Sequence, residues 1–383
     1  MRLLFITQKL HGQDAFGILW VRAFIAQGYE VEVVCLEGAA GGQEGRRAEG
    51  EKRQEVQKGA ENGTCTVESS NVDMYLGFPV HSLGKEHGAS RLQSALRFEK
   101  LILSLRYDRV FIHMAPVWYV LGGWWWLLAR KAVYLWYTHY TMQLGVRLFG
   151  CFGKRFFCAT SQSLPQYPST NSGQVRAKKV VVGHGIDLAI WPERVTLAND
   201  PHRLLVVHRL SRSKRLELIL RALAILDIAY TLDVYGIEAE PDYVVELKHL
   251  VKELHLESRV KFLGTTPMQS LPEIYARHTL ILNMASETID KTMLEAMTCG
   301  CYPVTTSSNA AAIGIPFTPS PSPEGRGEIF APESDTPSAI AEFIRQFAVR
   351  APIIGADMYR IVERNHSLAR LISKMDSYIR QGI

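Results

Sequence analysis

The sequence predicts an α/β fold with two doubly wound, Rossmann-like domains that face a central cleft. Three observations support this prediction: a length of 383 residues, two separate series of alternating strand-like and helix-like runs, and a polar, proline-containing linker between the series. The length exceeds the usual domain size of roughly 100 to 200 residues. Parallel strands joined by helices bury both faces of a sheet, and ligands bind at the carboxyl ends of such strands.

The expected domain bounds follow from these two series. We expect a first domain over residues 1–186 and a second over residues 187–355. A helical segment at residues 356–383 ends the chain and can pack back on the first domain.

The first domain opens with a βαβ pattern. Apolar runs predict a strand at Arg2–Thr7, a helix at Phe16–Ala26 and a second strand at Glu30–Leu36. Alternation resumes further along the chain with these predicted elements: strand Arg109–His113, helix Trp118–Arg130, and strands Ala132–Tyr137, Arg155–Ala159 and Lys179–Val182.

The second domain shows the same alternation. Its predicted strands are Arg203–Val207, Thr231–Tyr235, Val260–Leu263, Thr279–Asn283 and Tyr302–Thr305. Its predicted helices are Arg215–Leu226, Tyr243–Leu254, Leu271–Ala276 and Lys291–Cys299.

Two tracts interrupt these patterns. Residues 38–70 form an insertion whose first part, Gly38–Gly63, is rich in glycine and charge and almost devoid of large apolar residues. Such a segment cannot offset its ordering entropy, so we expect a disordered surface insertion. A second tract at Thr318–Glu328 predicts a mobile loop.

Composition narrows the function classes. A formal charge of +5 favours anionic ligands but is too small to indicate nucleic acid. The six cysteines show no C-x-x-C pair, which fits a reducing cytoplasm. The uncharged run Met114–Ala129 is shorter than the roughly 20 residues that span a bilayer, so we interpret it as a buried helix, with a membrane-surface helix as the alternative.

The most specific motif is ETIDKTMLEAMTCGCYPV, in which Glu287 and Glu295 flank the start of a predicted helix. Two carboxylates beside backbone amides that favour phosphate suit a nucleotide sugar, whose hydroxyls and diphosphate need both. The alternative for Glu295 is a capping box with Thr292, with Gly300 as the helix C-cap.

A second motif, HRLSRSKR, follows the strand Arg203–Val207. Its Arg209 and Lys214 lie five residues apart, a spacing that lets a guanidinium and an ammonium converge on one diphosphate. The alternative is a solvated basic loop, which is how we interpret Arg212 and Arg215.

These motifs make the chain similar to family four retaining glycosyltransferases (glycosyl transferases group 1) of the GT-B fold. The resemblance covers most of the chain and rests on VHRLSRSKR, VKFLGTTPMQSLPEIYARHTLILN and the paired-glutamate motif, in the family's order and spacing. It implies that Arg209 and Lys214 bind the donor diphosphate, Glu295 the ribose hydroxyls, and that Glu287 lies near the donor sugar. Donor binding is also assigned to Lys291, Thr292 and Gly264.

On the acceptor side, the resemblance implies a cleft-facing histidine at His139. The turn QKLHGQDAFG contributes Gly12, Asp14 and Gly17. The run VVVGHGIDL imitates a dinucleotide fingerprint but resembles the family's interdomain segment instead.

Three residues depart from the family pattern. His208 stands where the family usually has glycine, and Thr288 and Asp290 replace small residues between the two glutamates.

The function that follows is transfer of a sugar from a nucleotide-diphosphate sugar to an unknown glycan or lipid, as in the synthesis of cell envelope polysaccharide. No cofactor is expected, and the absence of a D-x-D pair favours a metal-independent reaction. The expected location is the cytoplasm, with peripheral contact with the inner face of the membrane as the alternative. Alternatives are a nucleotide-sugar epimerase of the same fold or a non-catalytic remnant that binds the nucleotide sugar.

Removal of Ala39–Gly63 is expected to leave fold and activity nearly intact, because the segment is too polar to join a core. The yield and melting temperature of soluble protein, compared with those of the full chain, test this. Loss of soluble protein would show that the insertion is structural.

Overall fold

The computed structural model describes residues 1–10, 16–38, 72–75, 77–139, 141–168, 175–191, 193, 200–285, 289–314, 331–348 and 351–382. The chain forms two compact units. Unit 1 comprises Met1–Cys158, Gln166–Val180 and Ile372–Ile383, and unit 2 comprises Ala159–Pro165 and Val181–Leu371. Most of the insertion and the tract Thr318–Glu328 lie outside the described residues.

Unit 1 contains an eight-stranded sheet. Its strands, in chain order, are β1 (Arg2–Lys9), β2 (Glu30–Glu37), β3 (Val72–Tyr75), β4 (Phe78–Ser82), β5 (Arg109–His113), β6 (Ala132–Trp136), β7 (Arg155–Cys158) and β8 (Lys178–Val181). Their order across the sheet is β3-β4-β2-β1-β5-β6-β7-β8. The pairs from β4 through β2, β1, β5 and β6 to β7 are parallel, and β3 runs antiparallel to β4.

The central strands of unit 1 are apolar on both faces because helices cover them. The helices are α1 (Phe16–Ala26), α2 (Arg91–Ser104), α3 (Val117–Leu128) and α4 (Leu144–Phe152). Helix α3 packs against both α2 and α4. A capping box formed by Ser90 and Gln93 fixes the start of α2.

The C-terminal helix α12 (Leu368–Gln381) supplies further core contacts to unit 1. The hydroxyl of Tyr29 donates to Asp376 at 2.5 Å, and the ring of Tyr378 packs edge-on against Phe157. Ile372, Met375 and Ile379 are fully buried. The end of the chain thus completes the core of its first unit.

Unit 2 contains a five-stranded parallel sheet of order β11-β10-β9-β12-β13. Its strands are β9 (Arg203–Val207), β10 (Thr231–Tyr235), β11 (Val260–Gly264), β12 (Leu280–Asn283) and β13 (Tyr302–Thr305). Its helices are α5 (Leu216–Ile225), α6 (Pro241–Glu253), α7 (Leu271–Ala276), α8 (Lys291–Thr298), α9 (Ser307–Ala312), α10 (Pro337–Ala348) and α11 (Ala351–His366).

The strands and helices predicted individually are confirmed. Each end lies within two residues of its predicted position. Six elements were not predicted from the sequence: β3, β4, α2, α4, α9 and α10. The helix expected in Met114–Ala129 is present as α3, and it buries Trp118 and Trp126 while exposing Trp124 and Leu128. The buried-helix interpretation therefore holds for one face of α3 only.

Candidate functional site

The candidate site lies at the carboxyl edge of the sheet of unit 2. Strands β9 and β12 are parallel neighbours there, with Leu204 opposite Leu280. The loop that follows β9 carries the basic motif, and the loop that follows β12 leads into α8. Parallel pairing therefore brings together two motifs that are about 80 residues apart in the sequence.

A buried ion pair joins these two loops. The Lys214 ammonium, with a side chain only 7% exposed, lies 2.5 Å from Oδ1 of Asp290, whose side chain is 20% exposed. Asn283, at the end of β12, donates from Nδ2 to Oδ2 of Asp290 at 2.6 Å and accepts from the backbone N–H of Ala285 at 3.0 Å. The positive charge of Lys214 is thus paired within unit 2, and Asn283 fixes the orientation of its partner.

Arg209 differs from Lys214 in its surroundings. Its side chain is exposed, and among the described residues no side chain accepts a hydrogen bond from its guanidinium. The backbone next to it is fixed, because Leu210 donates to the carbonyl of Ile237 at 2.8 Å. A Cβ at Gly236 would lie 1.8 Å from the carbonyl oxygen of His208, so only glycine lets these loops approach so closely.

The other two arginines of the basic motif have structural contacts. Arg212 is exposed and binds both carboxylate oxygens of Glu246, at 2.8 and 2.5 Å. Arg215 donates from Nε to the carbonyl of Met284 at 2.7 Å and from Nη2 to Asp335 at 2.8 Å. The expectation that Arg215 is solvated is therefore wrong, because its side chain anchors the loop after β12.

The start of α8 shows that Glu295 is not part of a helix cap. The helix begins at Lys291, and Thr292 donates from Oγ1 to the carbonyl of Val207 at 2.6 Å. Thr292 thus lies inside the helix and ties it to the end of β9. The capping-box alternative for Thr292 and Glu295 is therefore wrong. The expectation that Gly300 ends the helix is confirmed, because Gly300 follows α8 with φ 88°, a left-handed conformation that favours glycine.

Burial shifts the pKa values of the ionisable groups on α8. Burial raises the pKa of Glu295, and the charge of Lys291 opposes this rise. Burial also lowers the pKa of Lys291, against the effects of Glu295 and Asp187. A carboxyl and an amine that share one desolvated region suit a polar, hydroxyl-bearing ligand better than an apolar one.

His208, which replaces the family's glycine, is also buried. Its Nδ1 lies 3.0 Å from the carbonyl oxygen of Arg209, and its Nε2 has no hydrogen-bond partner among the described residues. Burial lowers the pKa of His208, and the carboxylate of Asp290 opposes this effect. His208 and Asp290, two departures from the family pattern, therefore act on one another.

Two further histidines lie close together in unit 2. The rings of His184 and His366 have centroids 5.8 Å apart, and His366 Nε2 lies 3.0 Å from the carbonyl oxygen of Ile313. The VVVGHGIDL run reaches α11 here, since Ile186 donates to the carbonyl of His366 at 2.7 Å. The run therefore pairs with the end of α11, which indicates a structural role for it.

The other predicted site residues belong to unit 1, lie elsewhere in the sheet of unit 2 or lie outside the described residues. His139 is exposed in unit 1, beyond the end of β6, with its ring edge-on to Tyr137. Gly17 lies in the first turn of α1. Gly264 ends β11 with φ 70° and accepts from Gly236 N–H at 2.8 Å. The remaining residues, Gly12, Asp14, Thr288 and Glu287, lie outside the described residues.

Asn283 and Asn309 are the polar residues that the sequence analysis missed. Asn309 is fully buried and donates to the carbonyl of Ala285 at 2.8 Å, so it fixes the start of the loop after β12. A polar residue directly after the buried run of β12 was the available signal for Asn283. Nothing in the local pattern distinguishes Asn309.

Two kinds of feature are absent from the described residues. Within these residues, no three His, Cys, Asp or Glu side chains are grouped so that they could hold a metal ion. No helix in the same part of the chain has the length and hydropathy needed to cross a membrane.

Comparison with solved structures identifies the fold. The chain is similar to HepE of Anabaena, solved with UDP, with 18% identity, a TM-score of 0.70 and full coverage of both chains. It is also similar to sucrose-phosphate synthase of Thermosynechococcus elongatus, with 15% identity, a TM-score of 0.69, and coverage of 99% of this chain and 98% of that one. The fold is GT-B, as predicted.

Part of the sequence of unit 2 matches a family model. Residues 189–314 match the profile of glycosyl transferases group 1. The chain therefore has the GT-B fold, and a segment of its second unit is similar to glycosyl transferases group 1. No curated protein shows significant sequence similarity to the chain.

The His184–His366 pair predicts that stability depends on pH. Burial lowers the pKa of His366 to about 4, and burial together with the charges of His366 and Lys291 lowers that of His184. In the unfolded chain both rings take up a proton below about pH 6.5. The free energy of unfolding should therefore fall as the pH drops from about 6.5 to about 4, by at most ~1.4 kcal/mol per pH unit for each ring.

Chemical denaturation across this pH range measures the effect. His366→Gln, which keeps a donor toward Ile313, should reduce the slope, and His249→Gln on the exposed face of α6 should not. An unchanged slope in His366→Gln would mean that this ring is not the group that titrates.

Proposed function

We propose that the chain is a retaining, metal-independent glycosyltransferase that moves a sugar from a nucleotide-diphosphate sugar to a glycan or lipid in the cytoplasm. The observation that carries the proposal is the ion pair of Lys214 with Asp290 at the start of α8, the helix that contains Glu295, at the carboxyl edge of the sheet. Arg209 lies in the same loop as Lys214, directly after β9. This edge is where open α/β sheets bind ligands. The group 1 segment contains all four residues.

In the proposed reaction, the bond between the anomeric carbon and the diphosphate oxygen breaks while an acceptor hydroxyl attacks the same face of the sugar. The proton of that hydroxyl passes to the departing diphosphate. Negative charge therefore grows on the diphosphate as the bond breaks. Fixed cations aimed at this oxygen stabilise the transition state more than the bound donor.

Arg209 and Lys214 have different parts in this proposal. Arg209 is exposed and presents a planar guanidinium, which suits bidentate binding of phosphate. Lys214 is buried, and its bond to Asp290 occupies one of its three N–H donors. The remaining donors are available to a phosphate oxygen, and Asp290 and Asn283 hold the ammonium in place for it.

Glu295 supports the nucleotide part of the donor. A carboxylate in a desolvated region forms strong hydrogen bonds with vicinal hydroxyls such as those of ribose. UDP-sugars are the first donors to test, since the HepE structures contain UDP and UDP-glucose.

Thermal stabilisation by UDP, GDP and ADP sugars, followed by product analysis, tests the proposal. A ligand at 100 times its dissociation constant adds about 2.7 kcal/mol to the stability of the folded state. A new glycoside supports transfer, an epimerised sugar supports the epimerase, and donor that stays unchanged with every acceptor supports a binding protein.

Alanine at Arg209 or at Lys214 should lower turnover by a factor on the order of 10² to 10³, as loss of one oxyanion-hole donor does. Donor affinity should fall less, because the charge develops mainly in the transition state. Lys214→Arg should not restore activity, since a planar fork does not fit where a compact ammonium pairs with Asp290. Single-turnover rates and donor binding are the measurements.

Arg212→Ala is the matched control, because Arg212 is exposed and paired with Glu246. Arg215 does not serve as a control, since it anchors the loop after β12. Lys214→Ala leaves the Asp290 carboxylate without its cation, so the double variant Lys214→Ala, Asp290→Asn separates loss of stability from loss of catalysis. Equal, small effects at positions 209, 212 and 214 would reduce the motif to a generic basic loop.

Glu295→Gln should weaken donor binding roughly 10- to 100-fold, the cost of losing hydrogen bonds to a charged acceptor. The melting temperature should change little, because the amide has the same shape and Glu295 does not cap α8. Isothermal titration with the donor and thermal unfolding are measured on the same samples. Unchanged affinity would remove Glu295 from the donor site.

A further inference from the structure

Unit 1 exposes a large apolar surface on α2 and α3. Ten of the seventeen exposed large apolar side chains in the described residues lie on α2, α3 and α4. On α3, Val117, Trp124 and Leu128 are spaced by seven and four residues, so they share one face of the helix. The opposite face carries the buried Trp118 and Trp126. The exposed face of α3 is therefore a second apolar face that the core of unit 1 does not use.

Helix α2 extends this surface. Its exposed Leu92, Leu96 and Leu103 follow a helical spacing, and Leu92 is 70% exposed. The indole of Trp124 donates to Glu99 of α2 at 3.4 Å, so the exposed faces of the two helices adjoin. We call these six side chains, Leu92, Leu96, Leu103, Val117, Trp124 and Leu128, the apolar surface of unit 1.

The segment of the sequence that contains α2, α3 and α4 is strongly basic. Residues 91–154 contain nine Lys and Arg against two Asp and Glu, a net charge of +7, whereas the whole chain carries +5. The rest of the chain is therefore net negative. One of the two acids, Asp108, is paired with Arg2, and the other, Glu99, accepts from Trp124. Arg91, Lys100 and Arg130 are exposed.

We propose that the apolar surface of unit 1 binds the surface of a lipid bilayer that contains anionic lipids. Exposed leucines with an interfacial tryptophan, flanked by lysine and arginine, match the composition of segments that lie in the headgroup region. A second copy of the chain is a poor occupant, since the exposed Arg91, Lys100 and Arg130 of each copy would repel one another. The proposal rests on this surface alone and stands whether or not the chain transfers sugar.

The test compares purified full chain on vesicles of phosphatidylcholine with and without phosphatidylglycerol, by co-sedimentation. We expect binding to the anionic vesicles, weakening with added salt, and little binding to phosphatidylcholine alone. The variant Trp124→Glu, Leu128→Glu should lower the partition coefficient at least tenfold, because it places carboxylates on the face that meets the lipid. Lys100→Glu should lower it less.

The matched control is Ile228→Glu, Val245→Glu in unit 2, whose side chains are 75% and 67% exposed. It introduces the same charge away from the apolar surface and should bind vesicles like the original chain. Melting temperatures show whether each variant folds. If the double variant does not fold, Leu128→Glu alone, at a site 72% exposed, tests vesicle binding instead.

Three outcomes would overturn the proposal. The first is no binding to anionic vesicles, and the second is equal loss of binding in the control variant. The third is self-association of the full chain in sedimentation velocity that Trp124→Glu, Leu128→Glu abolishes, which would identify a second copy as the occupant.

Discussion

The ion pair between Lys214 and Asp290 is the contact on which the site of unit 2 depends. It links the loop after β9 to the loop after β12, and Asn283 holds the carboxylate in place. A buried charge that loses its partner costs about 3–5 kcal/mol, so these residues are constrained together. Arg215 adds a second link between the same loops through the carbonyl of Met284.

Much of the fold could be predicted from the sequence because strands buried on both faces appear as continuous apolar runs. β9 and β12 are such runs, and their bounds were found within one residue. Helix α2 was missed because it exposes Leu92, Leu96 and Leu103, so the contrast between its faces is weak. β3 and β4 follow a long insertion, where a short antiparallel pair has no distinctive local pattern.

The site could be predicted in its residue types but only partly in its contacts. A basic cluster and two glutamates are visible as motifs, whereas the pairing of Lys214 with Asp290 joins residues 76 apart. That pairing arises only because the crossover connections place β12 beside β9. For the same reason Arg215 looked like a surface residue, since its acceptors Met284 and Asp335 come from distant segments.

The discontinuity of unit 1 has a consequence for biosynthesis. Residues 372–383 belong to unit 1 but are translated after nearly all of unit 2. Met375 and Ile379 of the core of unit 1 and the Asp376 partner of Tyr29 are therefore synthesised last. Most of unit 2 leaves the ribosome before unit 1 has its full core, and the apolar side chains that α12 covers stay exposed until α12 emerges, a period in which a chaperone has reason to hold the nascent chain.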